Sequence, residues 1–115
     1  VQIDIESTPH KITVLHVSGD VDMNEVTSLR QALQQVIHTA QGGLIVVLAQ
    51  VPFIDSAGIA VLIEGLKWSR ECGVAFVLSD LTPPVQLVIE LTRLEQVFTI
   101  ADTLADGLAL IAETT

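Results

Sequence analysis

Cations are scarce in this sequence. Five Lys and Arg stand against fourteen Asp and Glu over 115 residues, a formal net charge of −9. The five cations, Lys11, Arg30, Lys67, Arg70 and Arg93, are scattered along the chain. Nucleic acid and anionic lipid are held by clustered Lys and Arg, so neither is expected as a partner. Cysteine is scarcer still. Cys72 stands alone, so the chain has no internal disulfide, which fits a reducing cytoplasm. Long apolar runs are missing as well. The longest fall far short of the roughly 20 residues that span a bilayer, so no membrane insertion is expected. The stretch Val1 to His10 lacks the basic-then-apolar pattern of a secretory signal. The chain opens on Val rather than Met, which fits a trimmed chain or a piece cut from a longer protein.

Several chemistries lack their residues. One cysteine and three dispersed histidines, His10, His16 and His38, do not make a metal site. No Gly-rich phosphate loop of Walker type is present, and Gly42-Gly43 reads as a helix stop. The Gly-x-Ser-x-Gly elbow of serine hydrolases is half-formed at best, with Ile54 on one side of Ser56 and Gly58 on the other. Nothing ties any of the histidines to Ser56 as a base. Neither a cofactor nor an enzymatic activity is expected.

Half of the residues are hydrophobic, a globular composition at one domain's length, residues 1–115. Ile3 and Ile5, then Ile12 to Val17, read as two strands around a turn at Thr8, Pro9 and His10. Alternation puts Ile12, Val14 and His16 on one face and Thr13, Leu15 and Val17 on the other. Asp22 and Glu25 have the spacing of a capping box. Val26, Leu29, Leu33, Val36, Ile37 and Ala40 follow as one helical face. Leu44 to Leu48 is a β-branched run suited to a strand buried on both sides. A second helix follows Asp55, with Ile59, Leu62, Ile63 and Leu66 as its buried face and Gly73 as its stop. Val74 to Leu78 is a further strand. Thr82 and Pro83 open a third helix. Val97 to Ile100 is an edge strand, and Thr103 with Asp106 caps a last helix carrying Leu104, Leu108 and Ile111. The expected fold is α/β, ordered β-β-α-β-α-β-α-β-α, with a mixed, mostly parallel sheet and about four helices.

Chemistry concentrates in Phe53-Ile54-Asp55-Ser56-Ala57-Gly58-Ile59, where a buried strand gives way to a helix. Ligands gather beyond strand C-termini in open α/β sheets. A helix N-terminus there offers unpaired N–H groups and the positive end of a dipole, which suits an anion on the Ser56 hydroxyl. Ala57 and Gly58 are small and leave room for a partner. Asp and Ser are also the commonest N-caps, so a purely structural role for both fits the same spacing.

These residues carry a resemblance. The chain is similar to STAS domains, specifically to bacterial anti-sigma factor antagonists, over nearly its whole length. Ser18-Gly19-Asp20-Val21-Asp22 looks like the family's turn before the first helix. Val51 to Leu62 looks like the segment holding its Asp-Ser-Ser/Thr-Gly signature. Leu91 to Leu94 with Val97 to Ile100 looks like its C-terminal segment. The sequence departs from the pattern at Ala57, where a second Ser or Thr is usual, at Ala60 and Arg93, where Gly is common, and at Val47, where many members have Asp.

The resemblance implies a switch. In the family, the unmodified antagonist binds an anti-sigma factor, often also a serine kinase, and frees a sigma factor. Phosphorylation of the signature serine dissolves the complex, and a PP2C-type phosphatase resets it. Carried over, Ser56 is the phosphoacceptor and Asp55 its supporting acid. Asp20, Asp22, Ala57, Gly58 and Val61 join Asp55 on the expected partner surface. On the second helix, Val61, Gly65 and Trp68 are expected on a face apart from the core, although Trp68 fits core packing against the third helix equally well. Glu64 is expected to be solvated. The Asp-Ser-Ala-Gly variant also resembles the STAS scaffold subunits of bacterial lipid-transport ABC systems, and the missing initial Met fits a STAS module of a larger signalling protein. A phosphoregulated binding module and a constitutive scaffold are thus the two classes left open.

Overall fold

A computed structural model describes residues 1–113 of the chain. Five strands run in sheet order β1-β2-β3-β4-β5: Gln2–Ser7, Ile12–Ser18, Gly43–Gln50, Phe76–Ser79 and Thr99–Ala101. The helices are α1 (Val26–Ile37), α2 (Ser56–Cys72), α3 (Pro83–Leu91) and α4 (Leu104–Glu113), with a 3-10 turn at Leu94–Gln96. β1 and β2 form the antiparallel hairpin, and every later pairing is parallel. The α/β order read from the sequence is the observed one.

Side-chain alternation divides the core into two layers. Leu15 and Val17 of β2, Leu44, Val46 and Leu48 of β3 and Leu78 of β4 pack with Leu29 and Leu33 of α1, Leu62 of α2 and Ile89 of α3. Ile12, Val14, Ile45, Val47 and Val77 point the other way, toward Ile111 of α4. Successive parallel crossovers of one hand put α1, α2 and α3 on the same side, leaving α4 to cover the back.

Local hydrogen bonds move several expected boundaries. The Asp22–Glu25 capping box does not form. Asp22 Oδ1 accepts from the Asn24 N–H at 3.0 Å, and its carbonyl accepts from Glu25 and Val26. α1 therefore begins at Val26 with Glu25 as an N-cap whose side chain makes no capping bond. Gly42-Gly43 is not the helix stop, because α1 already ends at Ile37. A Cβ on Gly42 would lie 2.5 Å from the His10 carbonyl oxygen. The glycine lets the strand entrance press against the β-hairpin turn. Thr82 precedes α3 as expected, but its hydroxyl donates to the Val51 carbonyl at 2.6 Å instead of capping. Gly73 ends α2 in the left-handed region, and Thr103 Oγ1 accepts from Asp106 N–H at the start of α4, both as the sequence predicts. The strand expected at Val74 to Leu78 starts instead at Phe76, and that expected at Val97 to Ile100 starts at Thr99.

Glu64 is not merely solvated. Its carboxylate receives Arg30 Nε at 2.9 Å, tying α2 to α1. The same hydrogen bond, with the Glu64 charge behind it, holds the Arg30 guanidinium above its usual pKa.

Candidate functional site at the start of α2

β3 delivers the chain to the C-terminal edge of the sheet, where Ile54 makes a parallel bridge with Val21. Asp55 follows in extended conformation and caps α2, its Oδ1 accepting from the Gly58 N–H at 3.0 Å. Its other oxygen, Oδ2, accepts from the Met23 N–H at 3.0 Å. The backbone adds Asp55 N–H to Val21 carbonyl at 3.2 Å and Val21 N–H to Phe53 carbonyl at 2.9 Å. The loop before α1 is thus stitched onto the first turn of α2. Gly58 permits the contact: a Cβ there would lie 2.4 Å from the Val21 carbonyl oxygen and 2.6 Å from Ile54 Cγ1.

Ser56 is the first residue of α2 and is exposed. Among the described residues its hydroxyl makes no hydrogen bond, whereas the cap bond belongs to Asp55. The two residues therefore divide: Asp55 is structural, and Ser56 leaves its Oγ free. An anionic group on that oxygen would sit at the positive end of a 17-residue helix.

The other expected surface residues fall into two groups. Asp20 is exposed and Asp22 half-buried, both in the loop that Asp55 anchors. Ala57 is half-buried against the core, and Gly58 is buried. Val61 contradicts the expected partner face, being 0% exposed and packed in the main core. Ile63, expected in the core, is 40% exposed. Trp68 packs partly buried against the core, but it lines a hollow with Gln34, Ile37 and His38 at the end of α1 and not with the third helix. The correction is one of helix phase. Ser56, Ala60 and Ile63 lie at i, i+4 and i+7 and share the solvent face.

Two residues escaped the sequence reading. Met23 is 72% exposed on the loop held by Asp55, and Phe53 is half-exposed just before the cap. Ala60 and Ile63 are exposed apolar residues on the same helix as Ser56, and Asp20, Asp22 and Asp55 place negative charge on the loop and cap that meet there. Exposed apolar residues at a contact surface are a usable signal, but one that sequence alone cannot separate from core.

Among the described residues no histidine is hydrogen-bonded to Ser56. His16 Nε2 lies 2.9 Å from Glu6 Oε1 on the opposite sheet face, and neither His10 nor His38 bonds to the serine. Among the described residues no group of His, Cys, Asp and Glu could hold a metal ion, and no helix is long and apolar enough to cross a membrane. The site presents an exposed hydroxyl at the start of a helix.

Known proteins share this arrangement of elements. An anti-sigma F factor antagonist of Paenibacillus polymyxa is 25% identical over 108 residues, 92% of either chain. The crystal structure of an anti-sigma factor antagonist from Mycobacterium paratuberculosis matches with a TM-score of 0.88 at 26% identity, covering 96% of this chain and 93% of that one. SpoIIAA, a Bacillus cell-fate determinant solved in its phosphorylated form, shares the fold at a TM-score of 0.72 and 17% identity, over 96% of this chain and 99% of its own. The sequence profile of the STAS domain matches residues 2–107, and the chain belongs to the STAS domain family.

Proposed function

We propose that this chain is an anti-sigma factor antagonist of the STAS type, a binding module switched at Ser56. In the unmodified state the surface around Ser56 binds an anti-sigma factor that is also a serine kinase, and a sigma factor is released. The kinase transfers the γ-phosphoryl group of ATP to Ser56 Oγ, its own base taking the hydroxyl proton. A PP2C-type phosphatase hydrolyses the ester and restores binding. The names of the relatives support the partner class.

One observation carries the reading: an exposed, unbonded serine hydroxyl at a helix N-terminus whose cap is the neighbouring aspartate. Phosphorylation adds about −1.5 to −2 charges. The helix N-terminus tolerates that charge in the free protein. Inside an interface the phosphate would lose its water beside Asp55 and Asp22, among Met23, Phe53 and Ile63. An unpaired buried charge costs several kcal/mol, and about 1.4 kcal/mol is tenfold in affinity. Binding is therefore lost while the fold stays as it is.

The test is mass spectrometry of the protein taken from its native cells with phosphatases blocked, with copurifying proteins identified in the same run. The proposal expects phosphate on Ser56, and an ATP-binding kinase with the unphosphorylated fraction. Absence of phosphate under every growth condition, with transporter subunits in the pull-down, would overturn it in favour of a scaffold.

A further inference from the structure

A groove of about 320 Å³ opens between α3 and β5, away from Ser56. Leu81, Ile89 and Ile100 are its apolar lining residues, and Glu90, Glu95 and Asp102 its acidic ones. No Lys, Arg or His lines it. Glu90 accepts a hydrogen bond from Gln86 at 3.0 Å, but none of the three acids forms an ion pair among the described residues. Next to the groove the solvent face of α3 carries Leu87, 54% exposed, and Leu91 one turn further on. β5 ends the sheet, so one side of its backbone has no neighbouring strand.

Glu90, Glu95 and Asp102 stand around one concavity on a chain already at −9. Arg93, between Glu90 and Glu95 in the chain, is the one nearby cation and forms no ion pair among the described residues. The net charge there is therefore negative, and a further cation relieves the repulsion. A metal ion is the wrong cation, since no cluster of acids among the described residues could hold one. A long cationic side chain has the right form. Its methylenes cover an apolar wall while its head stays among carboxylates at the wet rim. The exposed leucines beside the groove indicate that this side chain arrives on a polypeptide, because a free polyamine would leave them uncovered.

We propose that the groove between α3 and β5 is a docking site for an arginine or lysine side chain of a partner protein, on a segment whose neighbouring apolar residue covers Leu87. The site is independent of the Ser56 switch. A partner can hold both surfaces at once, or hold this one whatever the state of Ser56.

The test is an NMR titration of the isotope-labelled full chain with three probes: acetyl-Leu-Arg-Leu-amide, the same peptide with norleucine for arginine, and spermidine. The arginine peptide should shift the amides of Gln86, Glu90, Glu95, Ile100 and Asp102 saturably. The norleucine peptide should bind roughly tenfold more weakly or worse, as should the arginine peptide on a Glu90→Gln, Asp102→Asn double variant. Both substitutions are on the surface, and the spectrum itself reports that the variant is folded. Ser56→Asp should leave the titration unchanged, so failure here and failure of the phosphoswitch are told apart. Equal binding of the norleucine peptide, undiminished binding by the double variant, or spermidine binding as tightly as the peptide would each overturn the proposal.

Discussion

The Asp55 carboxylate reaches the backbone N–H of Met23 at 3.0 Å while its other oxygen caps α2 through Gly58. One side chain thus orders both the helix that presents Ser56 and the loop that presents Met23. Asp55→Asn keeps the shape and one acceptor oxygen but turns an amide donor toward one of the two N–H groups. Loss of a cap costs about 1 kcal/mol, and a hydrogen bond to a charged group about 1.5–3 kcal/mol. We expect Asp55→Asn to lower stability by about 2 kcal/mol in urea unfolding. Hydrogen exchange should rise first at Met23 and Asn24. Exchange that rises uniformly would mean the carboxylate stabilises only the helix.

Gly58→Ala tests the same junction from the other side. In an ordinary helix the change stabilises by roughly 0.5–1 kcal/mol. Here the added methyl would meet the Val21 carbonyl at 2.4 Å, and backbone cannot swing aside as a side chain can. The expected outcome reverses the sign: a loss of about 1–3 kcal/mol, as for overpacking, read as a lower melting temperature. A variant as stable as the parent would show that the loop before α1 can lift away from α2.

Most of the architecture was legible because alternation and helical spacing report which faces are buried. The buried face of α2 was legible at Ile59, Leu62 and Leu66, all of which are in the core, but not at Val61 and Ile63. Ile59, Leu62, Ile63 and Leu66 look like a core stripe by their bulk, yet α2 approaches its neighbours along small residues. Gly65 would place a Cβ 3.1 Å from Leu33 Cδ1 and 3.2 Å from Phe76 Cε1. Ser69 is fully buried, with its hydroxyl turned back to the Gly65 carbonyl. Gly58, Gly65 and Ser69 therefore mark the inner face, which draws Val61 in and turns Ile63 out. The placement of Ser56 at the start of a helix was legible from residue type and position. The division of labour between Asp55 and Ser56 was not, because either side chain can cap and only the long-range bond to Met23 distinguishes them. Asp22 misled for the same reason: its local pattern is a capping box, but pairing of Val21 with Ile54 pulls the loop out of helical geometry.

That phase yields a paired prediction. Val61→Lys places a charge in the main core and should leave the protein largely unfolded, since an unpaired buried charge costs several kcal/mol. Ile63→Lys changes an exposed position and should melt close to the parent, within about 0.5 kcal/mol. If the Ser56 face is the partner surface, Ile63→Lys also weakens capture of the kinase. Circular-dichroism melts of the two proteins decide the structural half, and reversed outcomes would restore the phase read from bulk.

Arg93 sits just beyond α3 with φ of 59°, the left-handed conformation that glycine adopts freely. A non-glycine residue there costs about 1–2 kcal/mol, partly offset by the greater freedom glycine has when unfolded. Arg93→Gly should therefore stabilise by about 0.5–1 kcal/mol, raising the melting temperature by several degrees. Arg93→Ala removes the same charge without freeing the backbone and should give no such gain. Equal effects of the two would trace the change to charge instead.

Ser56 itself separates a cap from a switch. Its hydroxyl makes no hydrogen bond among the described residues, so Ser56→Ala should melt within about 0.5 kcal/mol of the parent. Ser56→Asp brings a negative charge to the first turn of α2 and should be as stable or more so, by about 0.3–1 kcal/mol at low salt. Binding should part them. With the kinase recovered from native cells, the Ala protein should bind like the unmodified parent and take up no phosphate from ATP. The Asp protein should bind at least tenfold more weakly, since its carboxylate must desolvate beside Asp55. Destabilisation of Ser56→Ala by about 1 kcal/mol that Ser56→Asp does not share would assign the serine to capping. Undiminished binding by Ser56→Asp would show that charge at this position does not control the interface.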